Sequence, residues 1–189
     1  SCYSFQSNKN MTTLGEGATV FHHAIIGAAP QNGKHKGGPT KLVVGKNCLI
    51  REGVTMNPGT EGGGMLTRVG DNCLFMVAAH VAHDCRLGDS VILANNATLA
   101  GHVWIGDHTV LGGFTGVHQF VKVGAHVMAG VSSVVLQDIP TYVTVAGHPC
   151  APHGINSEGL KRRGFTPEGI AAIKRAYKTL YKSGLTFAE

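Results

Sequence analysis

The sequence predicts an all-β solenoid, a parallel β-helix of hexapeptide repeats with a short α-helical extension at its C-terminal end. Three observations predict it. From Val69 onward an aliphatic residue, once alanine and once phenylalanine, returns at every sixth position: Val69, Phe75, Val81, Leu87, Leu93, Leu99, Ile105, Leu111, Val117, Val123, Ala129 and Val135. The position after it is usually small, as at Gly70, Ala82, Gly88, Ala94, Ala100, Gly106, Gly112, Gly124 and Gly130, and the fifth of each six is small or apolar. Aromatic residues make up only 6% of the chain against 27 glycines, which suits narrow coils better than a wide core. A period of six fits neither a 3.6-residue helix nor a period-two strand, so each repeat is a short strand plus a corner. Three repeats close one coil, and residues about eighteen apart then stack in columns about 4.8 Å per coil.

The elements follow in order. Residues 1–13 are poorly defined, and the first ten lack the basic, apolar, small-residue order of a secretory signal. Repeats are visible at Leu14-Gly15-Glu16-Gly17-Ala18 and from Val44 to Thr55, so the β-helix is expected over residues 14–146. A solenoid end needs a cap and none precedes Leu14, so the chain is expected to be a fragment or to lack its first coils. Two excursions interrupt the beat at 28–41, with Pro30, Gly33, Gly37, Gly38 and Pro39, and at 58–64, ending in three glycines; both read as loops. The repeats stop at Ile139-Pro140, and residues 147–189 read as a linker and a truncated α-helical region, with Gly147 to Gly154 as a hinge. A short helix is expected over Ser157 to Arg163. Thr166-Pro167 is a helix start, Ile170, Ile173, Tyr177, Leu180 and Tyr181 form an apolar stripe, and Gly184 ends it. That stripe is expected to pack on the solenoid or on another subunit.

No stretch of eighteen apolar residues occurs, so no membrane span is expected. Of the five cysteines, Cys2, Cys48, Cys73, Cys85 and Cys150, three hold the fifth, inward-type position and read as small hydrophobes in a reducing compartment. The net charge of +5 is concentrated in residues 154–189, which carry seven Lys and Arg against three Glu. A solvated helix face accounts for it, as does an anionic ligand or acidic partner. Nucleic acid is disfavoured, because no stacking aromatics interleave the charges.

The eighteen-residue register gathers the polar residues. His83, Gly101 and Gln119 share a column; Asp84, His102 and Phe120 share the next; Ala82, Ala100 and His118 the one before. The patch is about 10 Å tall, with His80 just before it at a corner. A His beside an Asp suits general base catalysis, since a neutral imidazole takes a hydroxyl proton and a carboxylate stabilises the imidazolium. Neighbouring strand residues point to opposite faces, so His83 and Asp84 meet only if a corner bends the chain between them. Gly101, stacked on His83, offers a backbone N–H to a developing oxyanion. A lone His would read as a structural hydrogen-bonding group; this clustering favours a site.

At these residues the chain resembles a family. Ala79 to Cys85 (AHVAHDC), Ile92 to Val103 (ILANNATLAGHV), Gly116 to Phe120 (GVHQF) and Ile155 to Phe165 (INSEGLKRRGF) resemble the UDP-N-acetylglucosamine O-acyltransferases of lipid A biosynthesis. The resemblance implies a left-handed β-helix, a homotrimer with sites at subunit interfaces, and transfer of a 3-hydroxyacyl group from acyl carrier protein to the sugar 3-hydroxyl. It implies His83 as general base, Asp84 as its orienting group and the Gly101 amide as oxyanion donor. His80, His102, His118 and Gln119 match positions around the sugar, phosphates and acyl chain, and Lys34 a basic residue near the substrate. Asn156, Glu158, Arg162 and Arg163 match the nucleotide-contacting segment, where guanidinium groups suit phosphates. It implies no cofactor and no metal, and a cytoplasmic protein, or an organelle interior if eukaryotic.

Three departures stand out. Asn32 replaces an Asp of many members and Asn57 a His, changes expected to act on substrate preference or binding. Val131 stands where glycine admits a long acyl chain in some members, so a preference for shorter acyl groups is expected. The family also has further coils before residue 14 and more helix after Glu189. The rival readings are a related sugar N-acyltransferase or acetyltransferase, a zinc carbonic anhydrase of this fold with three histidines from facing subunits, and a non-catalytic assembly protein or inactive fragment.

Overall fold

The computed structural model describes residues 11–184; Cys2 and the rest of the first ten residues, and residues 185–189, lie outside the described residues. Short strands follow one another in coils of three. The first coil holds β1 (Met11–Leu14), β2 (Thr19–Val20) and β3 (Ile25–Ile26), the second β4 (Lys41–Val44), β5 (Leu49–Ile50) and β6 (Thr55–Met56), and the third β7 (Leu66–Val69), β8 (Leu74–Phe75) and β9 (His80–Val81). The fourth holds β10 (Arg86–Leu87), β11 (Ile92–Leu93) and β12 (Thr98–Leu99), the fifth β13 (Trp104–Ile105), β14 (Val110–Leu111) and β15 (Gly116–Val117), and the sixth β16 (Lys122–Val123), β17 (Met128–Ala129) and β18 (Val134–Val135). Each strand pairs in parallel with the third strand on, giving sheet A (β1-β4-β7-β10-β13-β16), sheet B (through β2, β5, β8, β11, β14 and β17) and sheet C (β3-β6-β9-β12-β15-β18). This is a three-sided parallel coil. Ile92 pairs with Val110 and Val110 with Met128, the register expected from the repeat. Strand β1 begins at Met11, three residues before the expected start, because Met11 to Leu14 pair in register with Lys41 to Val44.

Burial follows the repeat. In each two-residue strand of coils two to six the second residue is buried and the first faces outward, so Ile50, Phe75, Leu93, Leu111 and Ala129 stack as a core column with no exposure. Cys48, Cys73 and Cys85 take the inward fifth position, and their thiols donate to carbonyls of the following coil, as Cys85 Sγ does to Ala100 O at 3.1 Å. Burial pushes the Cys85 thiol up to about 12. Four described cysteines are free. Each corner closes with one residue in the left-handed region, such as Asp84 (φ 60°), His102 (φ 63°) and Phe120 (φ 67°), a conformation that turns the chain sharply in two residues.

The outward positions differ by face. Sheet B presents an unbroken, half-buried apolar ladder of Leu49, Leu74, Ile92, Val110 and Met128, whereas sheet A presents Arg68, Arg86, Trp104 and Lys122. Both excursions leave the corner between sheets C and A: 28–41 separates β3 from β4, and 58–64 separates β6 from β7.

The segment expected as a hinge is instead a strand pair. After Ile139 bridges to Val123, β19 (Val143–Gly147) joins sheet B parallel to β17 and β20 (Cys150–Ile155) returns antiparallel to it. The two prolines and glycines masked this. Val143 and Val145 alternate inward, and Gly147 (φ 105°) permits the reversal. Helix α1 (Ser157–Arg162) and helix α2 (Pro167–Lys182) follow; Thr166 caps α2 by accepting from Gly169 N, and Gly184 (φ 77°) lies beyond its end. Tyr177 is buried and Tyr181 packs on the core, so the apolar stripe seats α2 on the end of the solenoid.

Candidate active site

The corner between sheets C and A carries the polar columns, beneath the two excursions that leave the same corner. His83 and Asp84 form the turn between β9 and β10, and the left-handed φ of Asp84 brings two adjacent side chains to one side. His83 Nδ1 and Asp84 Oδ2 lie 2.9 Å apart. The Asp84 side chain is fully buried and that of His83 is 16% exposed, so one end of the imidazole is held inside while the other reaches the surface. With Nδ1–H donated to the carboxylate, Nε2 is the bare nitrogen and is free to take a proton. Gly101 lies against this ring: a Cβ there would sit 2.6 Å from His83 Cε1 and 2.8 Å from Nε2. Only a residue without a side chain lets the 101 backbone approach the imidazole this closely.

Asp84 is a hub. Thr60 N donates to Oδ1 at 3.0 Å and Oδ2 at 3.1 Å, Thr60 Oγ1 donates to Oδ2 at 2.6 Å, and the Asp84 amide donates to Thr67 Oγ1 at 2.8 Å. His102 sits edge-on to His83 with centroids 5.1 Å apart, its Nε2 is 3.9 Å from Asp84 Oδ2, and Phe120 stacks on it at 4.5 Å. His83, Asp84 and His102 place donor atoms within 4.8 Å of one another and are the described residues that could gather a metal ion. Asp84 already receives three donors, and one of them is His83 through Nδ1.

The excursions build a wall over this corner. Glu61 Oε1 accepts from Gly38 N, Glu61 Oε2 lies 3.0 Å from His35 Nδ1, and backbone donors with His35 hold the Glu61 carboxyl down to about 2. Asn32, Lys34, His35, Lys36, Thr60, Glu61, Gly62 and His102 line a cleft of about 370 Å³. Lys34 is exposed at it, and its amide donates to Asn32 Oδ1 at 3.0 Å. Asn57 is buried outside that cleft and ties the root of the first excursion, donating to Ala28 O at 3.0 Å and Ala29 O at 3.2 Å. His118 and Gln119 are exposed one coil further on.

Other expected residues lie elsewhere. His80 is not at a corner but in strand β9, because the corner begins two residues later; its Nδ1 lies 2.6 Å from Thr55 Oγ1 and burial lowers its pKa. Val131, 70% exposed, is on the corner between sheets B and C, across sheet C from His83. Asn156 caps α1 by accepting from Gly159 N and donates to His126 O. Arg163 donates to His108 O at 2.9 Å and burial lowers its pKa, while Arg162 is exposed and Glu158 pairs with Lys161. Within one chain this nucleotide-type segment packs at the corner between sheets A and B, away from His83. Sequence reasoning missed Thr60, Glu61 and His35; the signal available was that both excursions leave the corner on which the histidines collect.

Coil, corner and excursions together define a hexapeptide-repeat protein of the bacterial transferase type, and residues 66–101 match the family described as bacterial transferase hexapeptide (six repeats). Residues 138–189 match the second domain of the UDP N-acetylglucosamine O-acyltransferases. The acyl-[acyl-carrier-protein]–UDP-N-acetylglucosamine O-acyltransferase of Thiobacillus denitrificans is 56% identical over 170 residues, covering 90% of this chain and 66% of that protein. The protein of the same description from Herminiimonas arsenicoxydans is 55% identical, covering 93% and 67%. A solved relative from Acinetobacter baumannii superposes with a TM-score of 0.89 at 40% identity, covering 93% of this chain and 75% of that one. The chain belongs to the UDP-N-acetylglucosamine O-acyltransferase family. It spans about two thirds of the length of the curated relatives it matches.

Proposed function

We propose that the chain transfers a 3-hydroxyacyl group from acyl carrier protein to the 3-hydroxyl of UDP-N-acetylglucosamine, the first step of lipid A biosynthesis, with His83 as general base. The observation that carries the reading is the His83–Asp84 pair packed against the Gly101 backbone, in contact with Thr60 and His102, which line the cleft. Nε2 of His83 takes the proton of the sugar hydroxyl as its oxygen attacks the thioester carbonyl carbon. The Gly101 N–H stabilises the tetrahedral oxyanion, which collapses to the ester. The departing thiolate takes the proton from the imidazolium, so the base is regenerated. Lys34, His102, His118 and Gln119 face sugar and phosphates, and His80 lines the acyl side. Asn32, in the cleft, acts on sugar preference; Asn57, used in bracing the excursion, does so only through the loop.

The coil is left-handed, as family membership supports, and three copies associate through the half-buried apolar ladder of sheet B, five side chains stacked on one outward face. In that assembly Val131 and the α1 segment reach the cleft from a neighbouring copy. Glu158 and Arg162, exposed on α1, are the groups available to the nucleotide, whereas Asn156 and Arg163 act by bracing the helix. No helix among the described residues is long and apolar enough to cross a membrane; the family resemblance supports a cytoplasmic enzyme. The test is incubation with UDP-N-acetylglucosamine and a series of 3-hydroxyacyl carrier proteins, with product mass and oligomeric state as readouts. The 3-O-acyl product from a trimer is expected; a folded trimer giving no transfer contradicts the reading.

A further inference from the structure

We propose that Thr60 is a positioning residue for the His83–Asp84 pair: its hydroxyl and amide fix the Asp84 carboxylate so that Oδ2 alone faces His83 Nδ1. The inference rests on the general-base reading above and deepens it. The carboxylate torsion of Asp84 decides how its plane and lone pairs meet the imidazole, and His83 is held through one of its oxygens. Thr60 removes that freedom twice over. Its backbone N–H bridges both oxygens, and its hydroxyl makes the shortest contact of the cluster, 2.6 Å to the same Oδ2 that receives the imidazole. Both residues are buried, so water does not compete for these bonds.

The glycines around the contact have a physical reason. A side chain at Gly63 would collide with the Asp84 carboxylate, so the second excursion closes over Asp84 only because position 63 lacks one. Position 60 is in turn placed by a closed set of bonds: Gly63 N and Met65 N both donate to Thr60 O, and Glu61 ties the loop to the first excursion through Gly38 and His35. The loop that lines the cleft therefore also sets the geometry of the base.

Thr60→Val keeps shape and backbone donor but removes the hydroxyl, and Thr60→Ser restores it. The valine variant is expected to lose about 10- to 100-fold in kcat with KM for UDP-N-acetylglucosamine little changed, and the serine variant to recover most of that loss. The titratable groups facing His83 among the described residues are Asp84 on its own corner and His102 of the next coil. A carboxylate turned away stabilises the imidazolium less, so the acidic limb of the kcat/KM profile should move to lower pH in the valine variant. In an Asp84→Asn background the valine substitution should add little. Wild-type kcat in Thr60→Val, an unmoved acidic limb, or full additivity with Asp84→Asn overturns the proposal. Unfolding of both the valine variant and Thr60→Ala overturns it too, since the residue is then a structural brace. Absence of transfer by the wild-type chain itself defeats the general-base reading, a result distinct from these.

Discussion

Gly101→Ala is the sharpest perturbation of the site. Gly101 is buried and its φ lies outside the left-handed region, so alanine meets no backbone penalty there and the substitution reads one contact. The new methyl would lie 2.6 Å from His83 Cε1, and ordinary contact begins near 3.4 Å, so the ring must retreat by about 0.8 Å. It retreats against a partner that cannot follow, because Asp84 is held by Thr60 and by the hydrogen bond its backbone N–H donates to Thr67 Oγ1. A misplacement of about 1 Å in a reacting group costs on the order of 100-fold in rate, about 2.7 kcal/mol of barrier. Steady-state acyl transfer to UDP-N-acetylglucosamine measures it, with a thermal melt alongside. Gly116→Ala is the control, since a Cβ there meets nothing within 4 Å. A kcat for Gly101→Ala equal to that of Gly116→Ala would refute the reasoning.

Three further outcomes follow from particular contacts. Arg163→Ala should lower stability by about 1–2 kcal/mol through loss of its bond to His108 O, with Arg162→Ala leaving the melt unchanged and raising KM for the sugar nucleotide; the reverse pattern contradicts the assignment. His80 and His126 have pKa values lowered by burial, aided for His126 by the nearby Arg163 charge, so the folded state binds fewer protons than the unfolded one. Stability should be full above about pH 6.5 and decline as pH falls below it; a melting temperature that is flat from about pH 7.5 to 5.5, or unaffected in slope by His80→Asn, counts against this. Val131→Gly should shift the acyl profile toward longer chains, and an unshifted profile removes Val131 from the pocket.

Much of the fold was legible because a hexapeptide period leaves little freedom. Once Val69 to Val135 fixed the inward column, the pairing of Ile92 with Val110 followed. The same register brings His83, Gly101 and His102 together. What it could not supply was anything set by backbone outside the repeat. The Thr60–Asp84 contact depends on how a loop of seven residues folds back, and no period encodes that. The repeat puts His80 at a corner, whereas the strand runs through Val81 and the corner starts at Ala82, a two-residue difference of boundary. The strand pair at 143–155 was read as a hinge, because its prolines and glycines outweighed the alternation of Val143 and Val145. Val131 lies on the corner between sheets B and C, off the His83 column, so a register within one chain does not bring it to the site.

We propose His83, oriented by Asp84, as the base for acyl transfer to UDP-N-acetylglucosamine. The most direct test compares product formation by the wild-type chain and His83→Ala at saturating substrates, with both shown to be folded. A loss of at least about 100-fold in kcat is expected in the variant. Transfer by His83→Ala at the wild-type rate would contradict it.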